Sequence, residues 1–264
     1  MGDRYALIGN PVAHSKSPQI HAQFARATGQ DIDYGLIEAP REGFAQAVQR
    51  WRAGGGKGLN VTLPFKREAL PLCTRLSERA RAAQAVNTLR FEDSFGDNTD
   101  GIGLIRDFSE HLQYKLEKRS VLLLGAGGAA QGVAGALLEA GVARLVIANR
   151  TVPSAQELAA RFPGSSACAY DALSGQSFEV VINATSAGLA EVAPPLPPGL
   201  LGRGMLAYDM VYGRDTPFLA AARAAGAHTC DGLGMLVEQA AESFFVWRGV
   251  RPATRPVLAE LRGR

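Results

Sequence analysis

Cysteine and aromatic residues are scarce in this sequence, and each scarcity argues against a class of protein. The three cysteines, Cys73, Cys168 and Cys230, are far apart and form no CxxC pair, so we expect neither a disulfide framework nor a metal site. Aromatic residues make up 7% of the chain while glycine occurs 30 times, which favours a tight-turned α/β protein over an all-β sandwich. Unpaired cysteines indicate a reducing compartment, so we expect a cytoplasmic protein, and we expect His14 and His21 to be structural.

Neither sign of charge dominates. The 28 lysines and arginines and the 25 acidic residues leave a net charge of +3, spread along the chain. This even distribution argues against a nucleic-acid partner and mildly favours an anionic small-molecule substrate. With 47% hydrophobic and 20% charged residues, the 264-residue chain can bury the core of one large domain or two ordinary ones.

One apolar run, residues 121–138, is as long as a short membrane span. It contains five glycines and Gln131, and its composition changes at Gly125. We therefore interpret it as a buried strand, a tight turn and a helix, and we expect no membrane association. Asp3 and Arg4 lead directly into a short apolar strand, so no signal peptide is expected.

Strand-like and helix-like segments alternate through the first hundred residues. Strands are predicted at residues 5–8, 34–39, 58–62 and 86–91, and helices at 19–28, 42–53 and, with breaks, 65–84. Ser17 stands before Pro18 at the start of the first helix, where we place it as the N-cap. The alternation predicts a mainly parallel sheet that is covered by helices.

A second alternating series begins at Ser120. Strands are predicted at residues 121–124, 145–148, 180–183 and 206–210, with helices between them. Two further helices are predicted at residues 235–247 and 255–262. The expected fold class is therefore α/β throughout.

A glycine-rich turn, Gly125-Ala-Gly-Gly-Ala129, follows a predicted strand and precedes an alanine-rich helix. With Ala130 in the third small position, it fits the dinucleotide fingerprint G-x-G-x-x-A. Gly125 permits the tight turn, Gly127 lets the backbone approach a pyrophosphate, and the helix N-terminus attracts the phosphates. The alternative is a tight turn between strand and helix that binds nothing.

The end of the following strand indicates which dinucleotide would bind. An NAD site carries an acidic residue about 20 residues after the glycines, where it holds the ribose 2′-hydroxyl. Here the segment is Ala148-Asn-Arg-Thr151, which has no acid, and the guanidinium of Arg150 suits a 2′-phosphate. NADP is therefore favoured over NAD, the alternative being that Arg150 is only solvated. Asn183-Ala-Thr-Ser186, after a later strand, would lie on the ribose and nicotinamide side.

Polar residues of the first half cluster at or after the carboxyl ends of predicted strands, where open α/β sheets bind ligands. They are Ser15, Ser17, Asn60, Thr62, Lys66, Asn87, Thr88, Asn98, Thr99 and Asp100. Hydroxyl and amide groups of this kind suit a small polyol acid. Lys66 is able to give a proton, and Asp100 is a suitable carboxylate partner. The structural alternatives are a cap at Ser17, a solvated side chain at Lys66 and an ordinary turn at Asp100.

Eight segments, taken in order, resemble the shikimate dehydrogenase family over essentially the whole chain. They are Gly9–Pro18, Gly58–Lys66, Ala85–Thr88, Asn98–Gly101, Gly125–Ala129, Asn149–Thr151, Asn183–Ser186 and Gly234–Ala240. Enzymes of this family reduce the 3-keto group of 3-dehydroshikimate with NADPH to give shikimate, a step of aromatic amino-acid biosynthesis. The resemblance implies the same reversible, NADP-dependent activity for this chain.

The resemblance also implies roles for individual residues. Lys66 and Asp100 would form the proton-transfer pair. The residues that would bind the substrate are Ser15, Ser17, Thr62 and Tyr212 at its carboxylate, and Asn60, Lys66, Asn87, Asp100 and Gln239 around its ring oxygens. The residues that would bind the cofactor are Gly125, Ala126, Gly127, Gly128, Ala129, Asn149, Arg150, Thr151, Ala184, Thr185, Ser186, Met210 and Gly232.

Two α/β domains with an active-site cleft between them are implied as well. Residues 1–101 and 232–264 would form a substrate-binding domain with a mainly parallel sheet. Residues 102–231 would form an inserted, Rossmann-like NADP-binding domain. The resemblance leaves the oligomeric state open between a monomer and a homodimer.

Specificity stays open at this point. Many relatives that use NADP carry a second arginine after the Asn-Arg-Thr segment, whereas Pro153 and Ser154 follow here. A broad-specificity shikimate/quinate dehydrogenase using NAD or NADP is therefore the main alternative, although serine at position 17 favours shikimate. The second alternative is a catalytically silent nucleotide-binding module, and the presence of Lys66 and Asp100 argues against it.

Overall fold

The computed structural model describes residues 2–185 and 192–263. Contacts between Cα atoms divide the chain into two units, the first made of Met1–Arg106 and Leu236–Arg264, the second of Asp107–Met235. The sequence placed the domain boundaries after residues 101 and 231. The division by contacts falls a few residues later at both points: at the end of the helix Asp100–Arg106, and within the helix Leu233–Arg248.

Six strands of the described residues form the sheet of the first unit. They are β1 (Asp3–Gly9), β2 (Ile32–Glu38), β3 (Gly56–Val61), β4 (Arg75–Leu76), β5 (Thr88–Arg90) and β6 (Phe95–Asp97), in the spatial order β2-β1-β3-β5-β6-β4. Strand β1 is parallel to β2 and β3, and β4 is parallel to β6, whereas β5 is antiparallel to both of its neighbours. The sheet is mainly parallel, which confirms the prediction.

Six parallel strands, again among the described residues, form the sheet of the second unit. They are β7 (Ser120–Leu124), β8 (Arg144–Ala148), β9 (Ser165–Cys168), β10 (Val180–Asn183), β11 (Leu206–Asp209) and β12 (His228–Asp231). Their spatial order is β12-β11-β10-β7-β8-β9, so the chain winds outward from β7 in one direction and then from β10 in the other. This is the doubly wound order, in which ligands bind where the winding reverses, beyond the carboxyl ends of β7 and β10.

Helices connect the strands of both units. Those of the described residues are α1 (Ser17–Thr28), α2 (Phe44–Ala53), α3 (Glu78–Ala83), α4 (Asp100–Arg106), α5 (Gly128–Glu139), α6 (Val152–Arg161), α7 (Pro217–Ala224), α8 (Leu233–Arg248) and α9 (Arg255–Leu261). Helix α4 continues into a π-helical turn at Asp107–His111, and 3₁₀ turns occupy Leu70–Leu72 and Asp171–Leu173.

The sequences of the central strands follow from their burial. All four residues of β10, Val-Val-Ile-Asn, are buried, and so are the last four of β7. Strands covered by helices on both faces need apolar residues at successive positions rather than alternate ones. Each fully buried leucine or valine contributes about 1.5–3 kcal/mol through the hydrophobic effect. The first sheet has its own core, in which the rings of Phe44 and Phe65 stack 4.7 Å apart.

The apolar run at residues 121–138 is a strand, a turn and a helix, as predicted. Strand β7 ends at Leu124 and helix α5 begins at Gly128. Within the part of the chain that the structure describes, no helix is both long and apolar enough to cross a membrane.

The prediction of a broken helix over residues 65–84 is largely wrong. The segment consists of turns, the 3₁₀ turn, the two-residue strand β4 and a single short helix, α3. Strands β4, β6, β9 and β12 were not predicted either. They are two to four residues long and only partly apolar, so their pairing with neighbouring strands, rather than their own sequence, makes them strands.

Candidate active site

Lys66 and Asp100, which are 34 residues apart in sequence, form an ion pair in the first unit. Lys66 Nζ lies 2.5 Å from Asp100 Oδ2, and the two side chains are 13% and 6% exposed. Lys66 stands in the turn after β3, where its carbonyl accepts a hydrogen bond from the Val86 amide at 2.8 Å. A largely buried ammonium beside a carboxylate is an arrangement that can hold and transfer a proton.

The segment that leads to Asp100 is anchored by Asp97, at the end of β6. Asp97 accepts hydrogen bonds from Arg79 Nε at 2.8 Å and Arg79 Nη2 at 2.6 Å. Burial alone would raise the pKa of the Asp97 carboxyl, but the hydrogen bonds and charge of Arg79 hold it below its usual range. Asn98 then accepts a hydrogen bond from the Asp100 amide at 3.1 Å, which sets the first residue of α4 in place.

Asn87 holds the other oxygen of the Asp100 carboxylate. Its Nδ2 donates to Asp100 Oδ1 at 2.9 Å, while its Oδ1 accepts from the Thr99 amide at 2.9 Å. Gln239, on α8, places its Oε1 3.4 Å from Asn87 Nδ2. The close approach of α4 to α8 requires Gly103, because a Cβ there would lie 2.7 Å from Gln239 Cβ.

Asn60 and Thr62 stand at the carboxyl end of β3. Asn60 is 5% exposed and donates through Nδ2 to the Asn87 carbonyl at 3.1 Å. Thr62 is half-buried, and its Cγ2 occupies the space that a side chain on Gly9 would need. The ends of β1 and β3 therefore meet, as they must in a parallel pair.

Ser15 and Ser17 present two hydroxyl groups to each other. Ser15 Oγ lies 3.0 Å from Ser17 Oγ and accepts a hydrogen bond from the Ser17 amide at 3.2 Å. The prediction that Ser17 is the N-cap of α1 is wrong, since Ser17 is the first helical residue and Lys16 is the N-cap, with no side-chain cap. The reason is local: the Ile20 amide, which a Ser17 cap would bind, already donates to the Lys16 carbonyl at 3.1 Å, so the helix begins one residue earlier.

The glycine turn of the second unit has the geometry of an anion site. Gly125 has φ +106°, and Gly127 is the N-cap of α5, with open space where its Cβ would be. Gly127, Gly128 and Ala129 are not buried, whereas Gly125 and Ala126 are. The first turn of α5 therefore offers amide groups beside a surface that has room for a phosphate.

Strand β10 brings its own loop against this turn. A Cβ on Gly125 would lie 3.2 Å from both the Ala184 carbonyl oxygen and Thr185 Cγ2. Asn183 Oδ1 accepts hydrogen bonds from the Thr185 amide at 3.1 Å and hydroxyl at 2.7 Å, which shapes that loop. The predicted cofactor residue Ser186 lies outside the described residues.

Met210 and Gly232 lie together after β11 and β12. A Cβ on Gly232 would be 2.4 Å from the Met210 carbonyl oxygen, so only glycine fits there. Tyr212, two residues beyond Met210 in the same unit, is half-buried. Asp209 precedes them, and burial raises the pKa of its carboxyl even though it accepts a hydrogen bond from Thr216 Oγ1 at 2.6 Å.

Arg150 is exposed at the end of β8, with Asn149 and Thr151 on either side. Asn149 Nδ2 donates to the Thr151 carbonyl at 3.0 Å, which closes the turn into α6. Burial raises the pKa of Tyr170, and the positive charge of Arg150 opposes that rise, so the guanidinium lies near this ring. No acidic side chain occurs between residues 149 and 154.

Sequence reasoning missed two residues that contact this constellation in the first unit. Ser243, one turn of α8 after Gln239, lies 2.9 Å from Asn60 Nδ2, and Tyr34 Oη donates to Asn60 Oδ1 at 2.8 Å. The spacing of Gln239 and Ser243 on one helix face was a usable signal for the serine. Among the described residues, no cluster of His, Cys, Asp or Glu side chains could hold a metal ion.

The doubly wound second unit, its glycine turn and the lysine–carboxylate pair of the first unit together define a class, the α/β oxidoreductases that bind a dinucleotide. Family models match three parts of the chain: the shikimate dehydrogenase substrate binding domain at residues 7–89, shikimate / quinate 5-dehydrogenase at 107–193, and the shikimate 5′-dehydrogenase C-terminal domain at 232–262.

Curated and solved relatives agree with these models. Shikimate dehydrogenase (NADP(+)) of Aromatoleum aromaticum is 59% identical, over 98% of this chain and 97% of that protein. The crystal structure of an Ael1 enzyme from Pseudomonas putida is 51% identical with a TM-score of 0.91, covering 98% of each chain. Shikimate 5-dehydrogenase of Thermus thermophilus, solved with NADP(H) and shikimate, is 35% identical with a TM-score of 0.88, covering 99% of each chain. This chain belongs to the shikimate dehydrogenase family, as its motifs indicated.

Proposed function

We propose that the chain catalyses the reversible, NADPH-dependent reduction of 3-dehydroshikimate to shikimate. Relatives that are 54–59% identical over nearly their whole length carry the name shikimate dehydrogenase (NADP(+)). The observation in this molecule that carries the proposal is the buried pair of Lys66 and Asp100, with Asn87 on the second carboxylate oxygen.

The substrate would be held by hydroxyl and amide groups. Its carboxylate would accept hydrogen bonds from the Ser15, Ser17 and Thr62 hydroxyls, with Tyr212 as a further donor. The ring hydroxyls would contact Asn60, Asn87, Asp100 and Gln239. The neighbouring hydroxyls of Ser15 and Ser17, 3.0 Å apart, support this assignment, because two donors side by side match the two oxygens of a carboxylate.

Lys66 would carry the proton. When bound, NADPH supplies the hydride. Negative charge then develops on the carbonyl oxygen of the substrate, and the Lys66 ammonium stabilises that charge and gives the proton. Asp100, 2.5 Å from Lys66 Nζ, keeps the ammonium pointed into the site, and in the reverse direction Lys66 takes the proton back.

NADP would be held by the second unit. Its pyrophosphate would lie against Gly125, Ala126, Gly127, Gly128 and Ala129. Its 2′-phosphate would contact Asn149, Arg150 and Thr151, and its nicotinamide side would face Ala184, Thr185, Met210 and Gly232, with Ser186. The open space at Gly127 and the absence of an acid near Arg150 support this fit to a phosphorylated dinucleotide.

Three further proposals concern the domain arrangement, the cellular compartment and the oligomeric state of the enzyme. Residues 1–101 with 232–264 would be the substrate-binding domain, and residues 102–231 the NADP-binding domain. Three free cysteines suit a cytoplasmic protein. We propose a monomer or a homodimer whose partners are small molecules and not nucleic acid.

The test is a four-way assay of nicotinamide reduction, with shikimate or quinate as substrate and NADP or NAD as cofactor. Turnover with shikimate and NADP at a kcat/KM at least tenfold above the other pairings supports the proposal. Comparable rates with quinate or NAD would identify a broad-specificity enzyme instead. Binding of NADP without turnover in any pairing would leave only a nucleotide-binding module.

A further inference from the structure

We propose that Tyr34 is a positioning residue of this active site. It acts through a buried series of hydrogen bonds that passes along Asn60, Ser243, Thr88 and Asn87 and ends on the Asp100 carboxylate. All of these residues belong to the first unit. The catalytic meaning of the series rests on the proposed function, whereas its hydrogen bonds do not.

The series begins at the hydroxyl of Tyr34, on the edge strand β2. Tyr34 is 9% exposed, and its ring stacks on that of His21 at 4.1 Å with an angle of 7° between the planes. Its Oη donates to Asn60 Oδ1 at 2.8 Å. The orientation of the Asn60 amide is unambiguous, because Asn60 Nδ2 faces the Asn87 carbonyl oxygen at 3.1 Å and a carbonyl can only accept.

Two hydroxyl groups continue the series. Asn60 Nδ2 lies 2.9 Å from Ser243 Oγ, and Ser243 Oγ lies 2.8 Å from Thr88 Oγ1. Thr88 Oγ1 in turn donates to Asn87 Oδ1 at 2.8 Å. Because the Thr88 proton goes to Asn87, a hydrogen bond between the two hydroxyls requires the single proton of Ser243. Ser243 Oγ also lies 3.0 Å from the Gln239 carbonyl oxygen, which competes for that proton.

Asn87 connects this series of hydrogen bonds to the pair of Lys66 and Asp100. Its Oδ1 faces two donors, the Thr88 hydroxyl and the Thr99 amide, so its Nδ2 must face Asp100 Oδ1, 2.9 Å away. Asp100 Oδ2 is thereby left to Lys66. Asn60 Nδ2 also donates directly to Thr88 Oγ1 at 3.2 Å, so the donors from Tyr34 through Asn60, Thr88 and Asn87 point toward the carboxylate whichever acceptor Ser243 chooses. Hydrogen bonds aligned in one direction polarise and strengthen one another in a buried site.

The first donor matters because the Tyr34 hydroxyl lies 2.8 Å from the buried Asn60 Oδ1, beside His21, the other side chain that interacts with Asn60 at this point. Without the Tyr34 hydroxyl, the buried Asn60 carbonyl oxygen loses this donor, and the Asn60 amide can shift within the site. Its contacts with Ser243 and with the Asn87 carbonyl then lengthen, and the hydrogen bond from Asn87 Nδ2 to Asp100 Oδ1 weakens with them. A small displacement of the proton-transfer pair lowers the rate of the chemical step without affecting how the dinucleotide binds.

The test compares Tyr34→Phe with Tyr5→Phe. Tyr5 is the register partner of Tyr34 on β1, is 4% exposed and belongs to the same apolar cluster, but its ring stacks on Trp247. Both variants lose one buried phenolic hydroxyl. We expect Tyr34→Phe to lower kcat for shikimate oxidation by about three- to tenfold, with KM for NADP unchanged. Tyr5→Phe should match the wild type.

Side-chain amide signals give a readout that is independent of activity. In ¹H–¹⁵N spectra, Tyr34→Phe should shift the Asn60 and Asn87 NH₂ signals, which Asn60→Asp and Asn87→Asp identify, and Tyr5→Phe should leave them in place. Ser243→Ala should move the Asn87 signal as well, and combining it with Tyr34→Phe should add little further loss of kcat.

Unchanged Asn87 signals in Tyr34→Phe, or equal losses of kcat in the two tyrosine variants, would overturn the proposal. A wild-type enzyme with no turnover of shikimate would refute the proposed function instead, and the amide signals would still decide whether Tyr34 orients Asn87.

Discussion

Lys66 is the residue on which the proposed chemistry depends most directly. Its ammonium is the donor that lies beside Asp100, so its removal deprives the developing alkoxide of both charge and proton. We expect Lys66→Ala to lower kcat by about 10²–10⁴-fold, the usual contribution of a positioned acid, with the affinity for NADP retained. Steady-state kinetics and a binding titration of NADP measure the two effects separately.

Lys57 provides the control for that variant. Lys57 is an exposed lysine within β3, whereas Lys66 lies in the turn that follows that strand. Lys57→Ala therefore removes the same charge from a nearby part of the chain. Its kcat should stay within about twofold of the wild type, as expected for a surface substitution. A Lys66→Ala enzyme with nearly wild-type kcat would mean that another group supplies the proton.

His21 is a buried, neutral histidine, and it makes stability depend on pH. Burial lowers the pKa of His21 from 6.5 to about 3, against the smaller, opposite effect of a hydrogen bond with Asn60. The unfolded chain therefore takes up a proton below about pH 6.5 that the folded chain does not take up until about pH 3. Stability is fully present above pH 6.5 and is lost as the pH falls through this window.

The corresponding prediction concerns urea unfolding at pH 7 and pH 4.5. His21 should account for about 2.5 kcal/mol of the loss in free energy of unfolding between these two conditions. His21→Phe should remove that part of the loss, because it keeps an aromatic ring and takes away the titration. His14→Phe, at an exposed position, should keep the wild-type difference. Identical differences in all three proteins would show that His21 is protonated in the folded state.

At the residue scale, short motifs nominate the candidate site residues, whereas the residues that support them are not visible in the sequence. Lys66, Asn87 and Asp100 were found from short motifs, because polar residues at strand ends are visible locally. Tyr34 and Ser243 were not, since the first looks like an ordinary strand residue. Asn60 and Ser243 are 183 positions apart, so only the folded chain reveals their contact.

At the scale of elements, the crossing of α4 and α8 depends on Gly103. A Cβ there would lie 2.7 Å from Gln239 Cβ and 2.8 Å from the Gln239 amide nitrogen. We expect Gly103→Ala to lower the free energy of unfolding by about 1–3 kcal/mol through overpacking, and to raise KM for shikimate because Gln239 moves. Gly35→Ala in β2, where no atom lies within 4 Å of the added Cβ, is the control. Equal stability of the two variants would contradict the prediction.

We propose that the start of α6 sets the preference between NADP and NAD. Arg150 precedes the helix, and Ser154 stands in its first turn, half-buried. We expect Ser154→Arg to lower KM for NADP by about threefold or more, since a second guanidinium adds charge-assisted hydrogen bonds to the 2′-phosphate. KM for NAD should not change, because NAD has no such phosphate.

Arg150→Ala is the opposite variant. It should raise KM for NADP by about tenfold, again without changing KM for NAD. Parallel changes in both cofactors would place position 150 away from the 2′-phosphate.

For the whole molecule, cofactor binding should raise the free energy of unfolding. A ligand that binds only the folded chain, at about one hundred times its dissociation constant, adds about 2.7 kcal/mol to the free energy of unfolding. We therefore expect NADP at that excess to raise the thermal midpoint by several degrees, and NAD at the same concentration to raise it less. Arg150→Ala should remove the difference between the two cofactors. Equal shifts in the wild-type protein would argue against an NADP preference.

The sequence by itself determined the α/β class and the strand-turn-helix at residues 121–138, and it nominated the residues of the candidate site. These depend on periodicity, glycine spacing and polar residues at strand ends, which act over a few neighbouring positions. The tertiary structure decided the order of the strands in each sheet, the short strands β4, β6, β9 and β12, the close approach at Gly103 and the buried series from Tyr34 to Asp100. Those features arise from contacts between residues far apart in the chain, and the energy of such a contact exists only when both partners are in place.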